Sequence, residues 1–217
     1  VIDETHKAQL IMELRRQGVS DQRVLEAMEK VPRELFVEDL YQDQSYANRA
    51  LPIGCGQTIS QPLVVGQMTQ ALQVDKRMKV LEVGTGSGYQ ATILSKLCRR
   101  LYTVERHRPL LRIAEARFQT LGLHNIHTII GDGHKGWPEQ APFDRIMVTA
   151  AAAREIPETL LEQLKPGGIM ILPVGPTAGQ DQDLLRVIKD ESGGIQVDKL
   201  FPVRFVPLVE GLPVGNG

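Results

Sequence analysis

The pattern of apolar and polar positions changes character near residue 79. Before it, apolar residues recur at helical spacing. Leu10, Ile11 and Leu14 share one face of a segment ending near Gly18. Val24, Leu25 and Met28 form the face of a second helix, with Ser20 placed to cap it and Pro32 to end it. Over 41–59 the periodicity is lost and Gly, Pro, Asn and Gln accumulate, so this stretch reads as a loop. Ser60-Gln61-Pro62 opens a third helix with Val64, Val65, Met68 and Leu72 inward. Beyond 79, short apolar runs alternate with helical stretches. Strands are expected at 79–83, 101–105, 126–130, 145–149 and 169–174, and helices at 89–97, 109–121 and 156–164. Such alternation implies a mostly parallel sheet covered on both faces. Lys165-Pro166-Gly167-Gly168 stops the last helix, and 184–209 reads as antiparallel strands around Ser192-Gly193-Gly194. The expected fold is α/β and doubly wound, with an N-terminal helical segment and an antiparallel C-terminal part. One domain covers 1–217, divided into the segment 1–78 and an α/β core with C-terminal strands over 79–217.

The first strand of that core runs into the most telling stretch, Val80-Leu-Glu-Val-Gly-Thr-Gly-Ser-Gly88. A glycine-rich turn between a buried strand and a helix lets backbone approach a ligand closely. A dinucleotide fingerprint would read G-x-G-x-x-G, but Tyr89 holds the place of its third glycine. The glycines fall instead at alternate positions, Gly84, Gly86 and Gly88, around Thr85 and after Glu82. This pattern resembles the cofactor loop of S-adenosylmethionine-dependent methyltransferases. Glu105, nineteen positions beyond Gly86, ends the second strand, where an acid accepts hydrogen bonds from ribose hydroxyls. Its plainer alternative is a helix-capping carboxylate. Glu82 stands either near the cofactor's amino group or exposed at the strand end. Gly131-Asp132-Gly133 is either a simple turn or the place where Asp132 accepts from an adenine amino group with Gly133 alongside.

Charge and cysteine content narrow the class. The formal net charge of −1 gives no general attraction to nucleic acid or membrane. Arg15-Arg16 and Arg99-Arg100 read as solvated faces. Two cysteines, Cys55 and Cys98, match no metal spacing or disulfide framework, as expected in a reducing compartment. No long apolar run and no signal peptide is legible, so the expectation is a soluble cytoplasmic protein. The five histidines are scattered, and no metal site is expected.

A second block specifies the family. Leu51-Pro-Ile-Gly-Cys-Gly-Gln-Thr-Ile-Ser-Gln-Pro62, with Tyr46, resembles the signature of the protein-L-isoaspartate O-methyltransferases. Val31-Pro-Arg-Glu-Leu-Phe-Val37, the glycine loop, Gly131-Asp-Gly133, Leu164-Lys-Pro-Gly-Gly168 and Arg204-Phe-Val-Pro-Leu208 follow the family in the same order, over nearly the whole chain. The resemblance implies a Rossmann-like methyltransferase fold and S-adenosyl-L-methionine as methyl donor, leaving S-adenosyl-L-homocysteine. The substrate would be the free carboxylate of isoaspartyl residues in damaged proteins and peptides, acted on by a monomer. It further implies that Gln57, Thr58 and Ile59 close over the cofactor and that Ser60 contacts the substrate carboxylate. A helix N-cap is the alternative reading of Ser60. Some relatives carry histidine where this chain has Val65, so no role is carried over to that position. Asn216-Gly217 is the chain's only Asn-Gly pair, and isoaspartate is expected to form there with age.

The chemistry is consistent with the residues present. An isoaspartyl carboxylate with a pKa near ~4 is already ionised at neutral pH, so no general base is required, and none stands out. Competing readings are a methyltransferase for nucleic acid or a small molecule, a non-catalytic binder of S-adenosylmethionine, and a nicotinamide dehydrogenase. The first is disfavoured by Thr149-Ala-Ala-Ala152, where amino-methyltransferases carry Asn/Asp-Pro-Pro-aromatic, and by the lack of a Pro-Cys nucleophile. The Gln57–Ser60 segment weighs against the second, and the glycine spacing against the third.

Overall fold

The computed structural model describes residues 4–176 and 180–213; Asn216-Gly217 lies outside them. The chain begins with helices α1 (Glu4–Arg16) and α2 (Gln22–Lys30). A hairpin of β1 (Leu51–Ile53) and β2 (Gln57–Ile59) follows, then α3 (Pro62–Leu72). The core consists of β3 (Lys79–Val83), α4 (Tyr89–Ser95), β4 (Arg100–Glu105), α5 (Arg108–Thr120), β5 (Ile126–Ile130), β6 (Phe143–Val148), α6 (Glu158–Gln163) and β7 (Leu164–Val174). Strands β8 (Gln182–Lys189) and β9 (Ile195–Val203) complete it. The seven-stranded sheet runs β5-β4-β3-β6-β7-β8-β9. Its first five strands are parallel, and β8 is antiparallel to both β7 and β9. This is the expected doubly wound fold with an antiparallel C-terminal part.

A parallel strand buried on both faces must present apolar groups to two layers. In β3, Val80 packs with α1 to α5, whereas Leu81 and Val83 pack on the opposite face with Tyr102, Phe143 and Leu160. The N-terminal helices bury Leu10, Leu14, Val24, Leu25 and Met28 in the same cluster as Val80 and Leu94.

Three local expectations are corrected. Residues 51–59 are not loop throughout, because Leu51 pairs with Ile59 and Ile53 with Gln57. Strands this short leave little alternation to detect, although Leu51, Ile53 and Ile59 are all buried. Cys55 and Gly56 both take positive φ (60° and 67°), the sign pattern of a type I′ turn without the usual Asn-Gly. Asp21, not Ser20, caps α2, accepting from Arg23 N at 2.9 Å, while Ser20 N donates to Gln70 of α3. Ser60 does not cap α3. Gln61 stands at the cap position and Asn48 Oδ1 accepts from Leu63 N at 3.0 Å.

Glu82 interrupts the apolar run of β3 and is fully buried. Its Oε2 accepts from Thr103 Oγ1 at 2.6 Å, and Thr103 Oγ1 lies 2.7 Å from Thr85 Oγ1. Oε1 has no partner. Desolvation therefore pushes the carboxyl up to about 8; the Thr103 hydrogen bond opposes this shift and the nearby Glu105 adds to it. An unfolded glutamate ionises near ~4.3. Between these values the fold retains a proton that the unfolded chain has released, so stability falls as pH rises through that window and levels off above it. Replacing Glu82 by glutamine removes this dependence. The melting temperature of Glu82→Gln relative to wild type is expected to rise by at least ~2 °C between about pH 5 and about pH 8. A difference that stays constant with pH would mean the carboxyl is not held neutral.

Gly88 caps α4 at φ 87°, and a Cβ there would lie 2.8 Å from the Phe118 ring. Left-handed backbone and overpacking act together in Gly88→Ala, which is expected to lose about 2 kcal/mol or more in denaturant unfolding. A loss of a few tenths would show that the ring yields.

Candidate active site

Strand order reverses between β3 and β6, and ligands in such sheets bind beyond the carboxyl ends of the strands at that point. A cleft opens there. Its floor is the turn from Val83 to Ser87, one wall is Gln57–Ser60, the other is Glu105–His107, and Val206–Val209 form the roof. The floor is bare backbone for a reason. Gly84 has φ 95°, and a Cβ on it would lie 2.4 Å from Thr149 Oγ1. That hydroxyl donates to the carbonyls of Gly84 (2.7 Å) and Val83 (3.0 Å), holding the turn open.

Glu105 closes the turn from the other side. Its Oε2 accepts from Gly86 N at 2.8 Å and its Oε1 from His107 N at 2.9 Å. A carboxylate offers about four lone-pair sites, so each oxygen retains capacity toward the cleft. Ser60 is half-buried on the facing wall. Its hydroxyl has no hydrogen bond among the described residues, while its carbonyl accepts from Arg33. Ser60 and Thr58 also border an adjoining groove of about 710 Å³, with Val64 and Phe205 as apolar walls and an Arg204–Asp181 ion pair (2.7 Å) at the rim. Val65 is buried and lines the same cleft, adding an apolar surface beside Ile59.

Gln57, Thr58, Ile59, Ser60, Gly84, Thr85, Gly86, Glu105 and Gly133 therefore share one cleft. Three expected residues do not line it. Glu82 lies beneath the floor, bonded to Thr103. Gly88 faces Phe118 and Ala114, where its missing Cβ permits close packing of α5. Asp132 is engaged elsewhere, accepting from His134 N (2.9 Å) and Gly211 N (2.8 Å). Partial burial raises its pKa, but these backbone donors outweigh that and hold it below the usual carboxylate range.

The roof is absent from the sequence-based residues. Ala151 N donates to Val206 O and Leu208 N to Ala151 O, both at 2.8 Å, so the segment crosses the sheet edge as a strap. Asp132 and Arg106 hold it further along, both at Gly211. The block 204–208 had been noticed, but Val206, Pro207 and Leu208 carry no chemistry that would mark them as lining. Tyr89, Gln90, Thr149 and Ala150 also line the cleft, and no local motif marks them, because the start of α4 and the end of β6 meet there only in the folded sheet. No helix among the described residues is long and apolar enough to cross a membrane, and none of their His, Cys, Asp and Glu side chains cluster as metal ligands.

Comparison with known proteins agrees with this geometry. The sequence profile of the family described as protein-L-isoaspartate(D-aspartate) O-methyltransferase matches residues 5–212. A protein-L-isoaspartate O-methyltransferase of Paramagnetospirillum magneticum is 64% identical over 97% of this chain and 97% of its own. One from Rhodospirillum rubrum is 60% identical over 96% of this chain and 95% of its own. A solved protein-L-isoaspartate O-methyltransferase superposes with a TM-score of 0.82 at 31% identity, covering 93% of this chain and 65% of that longer one. A Plasmodium falciparum chain solved as a protein-L-isoaspartate O-methyltransferase in complex with S-adenosyl-L-homocysteine gives a TM-score of 0.78 at 25% identity, covering 95% and 99%. The chain belongs to the protein-L-isoaspartate O-methyltransferase family.

Proposed function

We propose that this chain transfers a methyl group from S-adenosylmethionine to the free carboxylate of L-isoaspartyl residues, with the cleft over the Val83–Ser87 turn holding the donor. One observation carries the reading: a bare glycine floor and the Glu105 carboxylate face the unbonded hydroxyl of Ser60 across one cleft. Bound there, the donor supplies an electrophilic methyl on a sulfonium.

The residues divide the remaining work. Glu105 accepts from the ribose hydroxyls with the lone pairs that Gly86 N and His107 N leave over. Gly84, Thr85, Gly86 and Gly133 present backbone to the ligand, and Gln57, Thr58 and Ile59 cover it. Asp132, Glu82 and Gly88 act on this site through the scaffold, not by contact. The Ser60 hydroxyl donates to the substrate carboxylate and fixes which oxygen faces the methyl carbon. The adjoining groove takes the flanking peptide. Because the carboxylate arrives ionised, the protein's task is alignment and exclusion of water, and alignment can supply about 7–11 kcal/mol in favourable cases. Methylation gives the carboxyl group a better leaving group, methoxide; the following backbone nitrogen attacks the ester carbonyl, methanol leaves and succinimide forms spontaneously, from which hydrolysis returns some normal aspartate.

The reading extends to a single domain over 1–217, in which the N-terminal helices share a core cluster with the sheet. It is also that of a cytoplasmic monomer acting on protein and peptide substrates, not nucleic acid. Near-neutral charge and two free cysteines support this part.

Glu105→Ala removes a charged acceptor. Cofactor Kd by calorimetry is expected to rise about tenfold or more, as a charged hydrogen bond is worth roughly 1.5–3 kcal/mol. Unchanged affinity in a folded variant would take Glu105 out of the binding set.

Isoaspartyl and aspartyl peptides carry equal charge and differ by the position of one methylene. Selection must therefore be geometric, and misplacement of about 1 Å can cost about 100-fold. Matched synthetic peptides are expected to differ at least ~100-fold in kcat/KM, with the L-aspartyl form inert. Equal rates would replace the repair reading by that of a general carboxyl methyltransferase.

A further inference from the structure

The Ser60 wall is tied to the rest of the fold by a side chain whose burial is otherwise hard to justify. Arg33 is the largest fully buried side chain, with no exposed surface. Burying a charge costs several kcal/mol unless it is paired. No carboxylate pairs with this one among the described residues. Its partners are backbone carbonyls: Nε donates to Ser45 O at 2.9 Å, and Nη2 to Ser60 O at 2.9 Å and Arg49 O at 3.4 Å. Nη1 has no hydrogen-bond partner of good geometry among the described residues. The guanidinium lies over the Tyr89 ring, 4.7 Å from its centroid, and Tyr89 lines the cleft. Desolvation lowers the Arg33 pKa, and the phenols of Tyr89 and Tyr46 oppose that shift.

A group placed for stability alone would be better satisfied or replaced by an apolar side chain. This one instead connects three separate pieces of chain. Residues 45–49 approach from one side, Ser60 ends the hairpin on another, and Tyr89 starts α4 at the cleft floor. The planar fork holds these directions rigidly, which a lysine's single ammonium cannot do. The backbone of Ser60 has few other anchors, because β1 and β2 are three residues each.

We propose that Arg33 is a positioning residue for methyl transfer: its buried guanidinium sets where the Ser60 hydroxyl stands relative to the cofactor cleft. The proposal rests on the role given to Ser60 above, and the experiment separates the two. Arg33→Lys, Ser60→Ala and the double variant are compared for kcat and KM on one isoaspartyl peptide at saturating cofactor, with cofactor Kd by calorimetry and melting temperature as controls. Arg33→Lys is expected to lower kcat at least ~10-fold, because misplacement of the alignment group acts on turnover. Its cofactor Kd is expected to change by less than ~3-fold. In the Ser60→Ala background the same change is expected to lower kcat by less than ~3-fold, the non-additivity of residues acting through one another. Equal losses in both backgrounds would overturn the proposal, leaving Arg33 a general scaffold residue. So would an unimpaired Arg33→Lys. Wild-type turnover in Ser60→Ala would instead remove the substrate role of Ser60. Arg33→Gln, which keeps a donor without the charge, stands in if the lysine variant does not fold. Failure of both to fold would also overturn the proposal, making Arg33 a determinant of folding.

Discussion

The site depends on the peptide backbone between β3 and α4 staying free of side chains on one surface while being pinned on every other. Glu105 takes the Gly86 N–H, and Thr149 holds the carbonyls of Val83 and Gly84. Phe118 packs against the space left at Gly88, and Thr85 reaches down to Thr103. The clamps come from three places: β4 carries Glu105 and Thr103, the end of β6 leads to Thr149, and α5 carries Phe118. The turn is thus a product of sheet order. A fold that brings these strand ends to one edge holds three alternating glycines in left-handed conformations, two of them lining the cleft and the third packed against α5.

Those clamps also explain why acidic residues near the turn behave so differently. Glu105 sits at the rim and receives two backbone donors, so it keeps acceptor capacity toward the cleft. Glu82, two residues before Gly84, lies below the turn, where one threonine hydroxyl is its only partner among the described residues. Asp132 ends up holding the strap at Gly211. Three acidic residues in one neighbourhood serve three purposes, decided by which face of the strand or loop each occupies.

This limits what sequence reading can reach. The βαβ alternation, the order of motifs and the pairing of the glycine turn with Glu105 were legible, because short apolar runs alternating with helical periodicity and a glycine turn are local signals. The direction of Glu82 depends on the register of β3 against β4, and that of Asp132 on a contact with a segment far along the chain. Gly88 belongs with its neighbours in spacing but serves helix packing. The hairpin at 51–59 was hidden because three-residue strands show too little alternation, and Cys55 gives no turn signal. The roof was hidden because its residues are apolar and unremarkable until Ala151 pairs with them.

That roof has a consequence for how the chain comes into being. The floor is encoded before the middle of the chain and the strap that covers it only after β9. During synthesis the glycine turn, Glu105 and Ser60 are all made while the cleft still lacks its cover. A nascent chain therefore carries the recognisable parts of a methyltransferase without an enclosed chamber. Closure comes when Val206 and Leu208 meet Ala151, so late translation, not the appearance of any single motif, marks the birth of the enzyme.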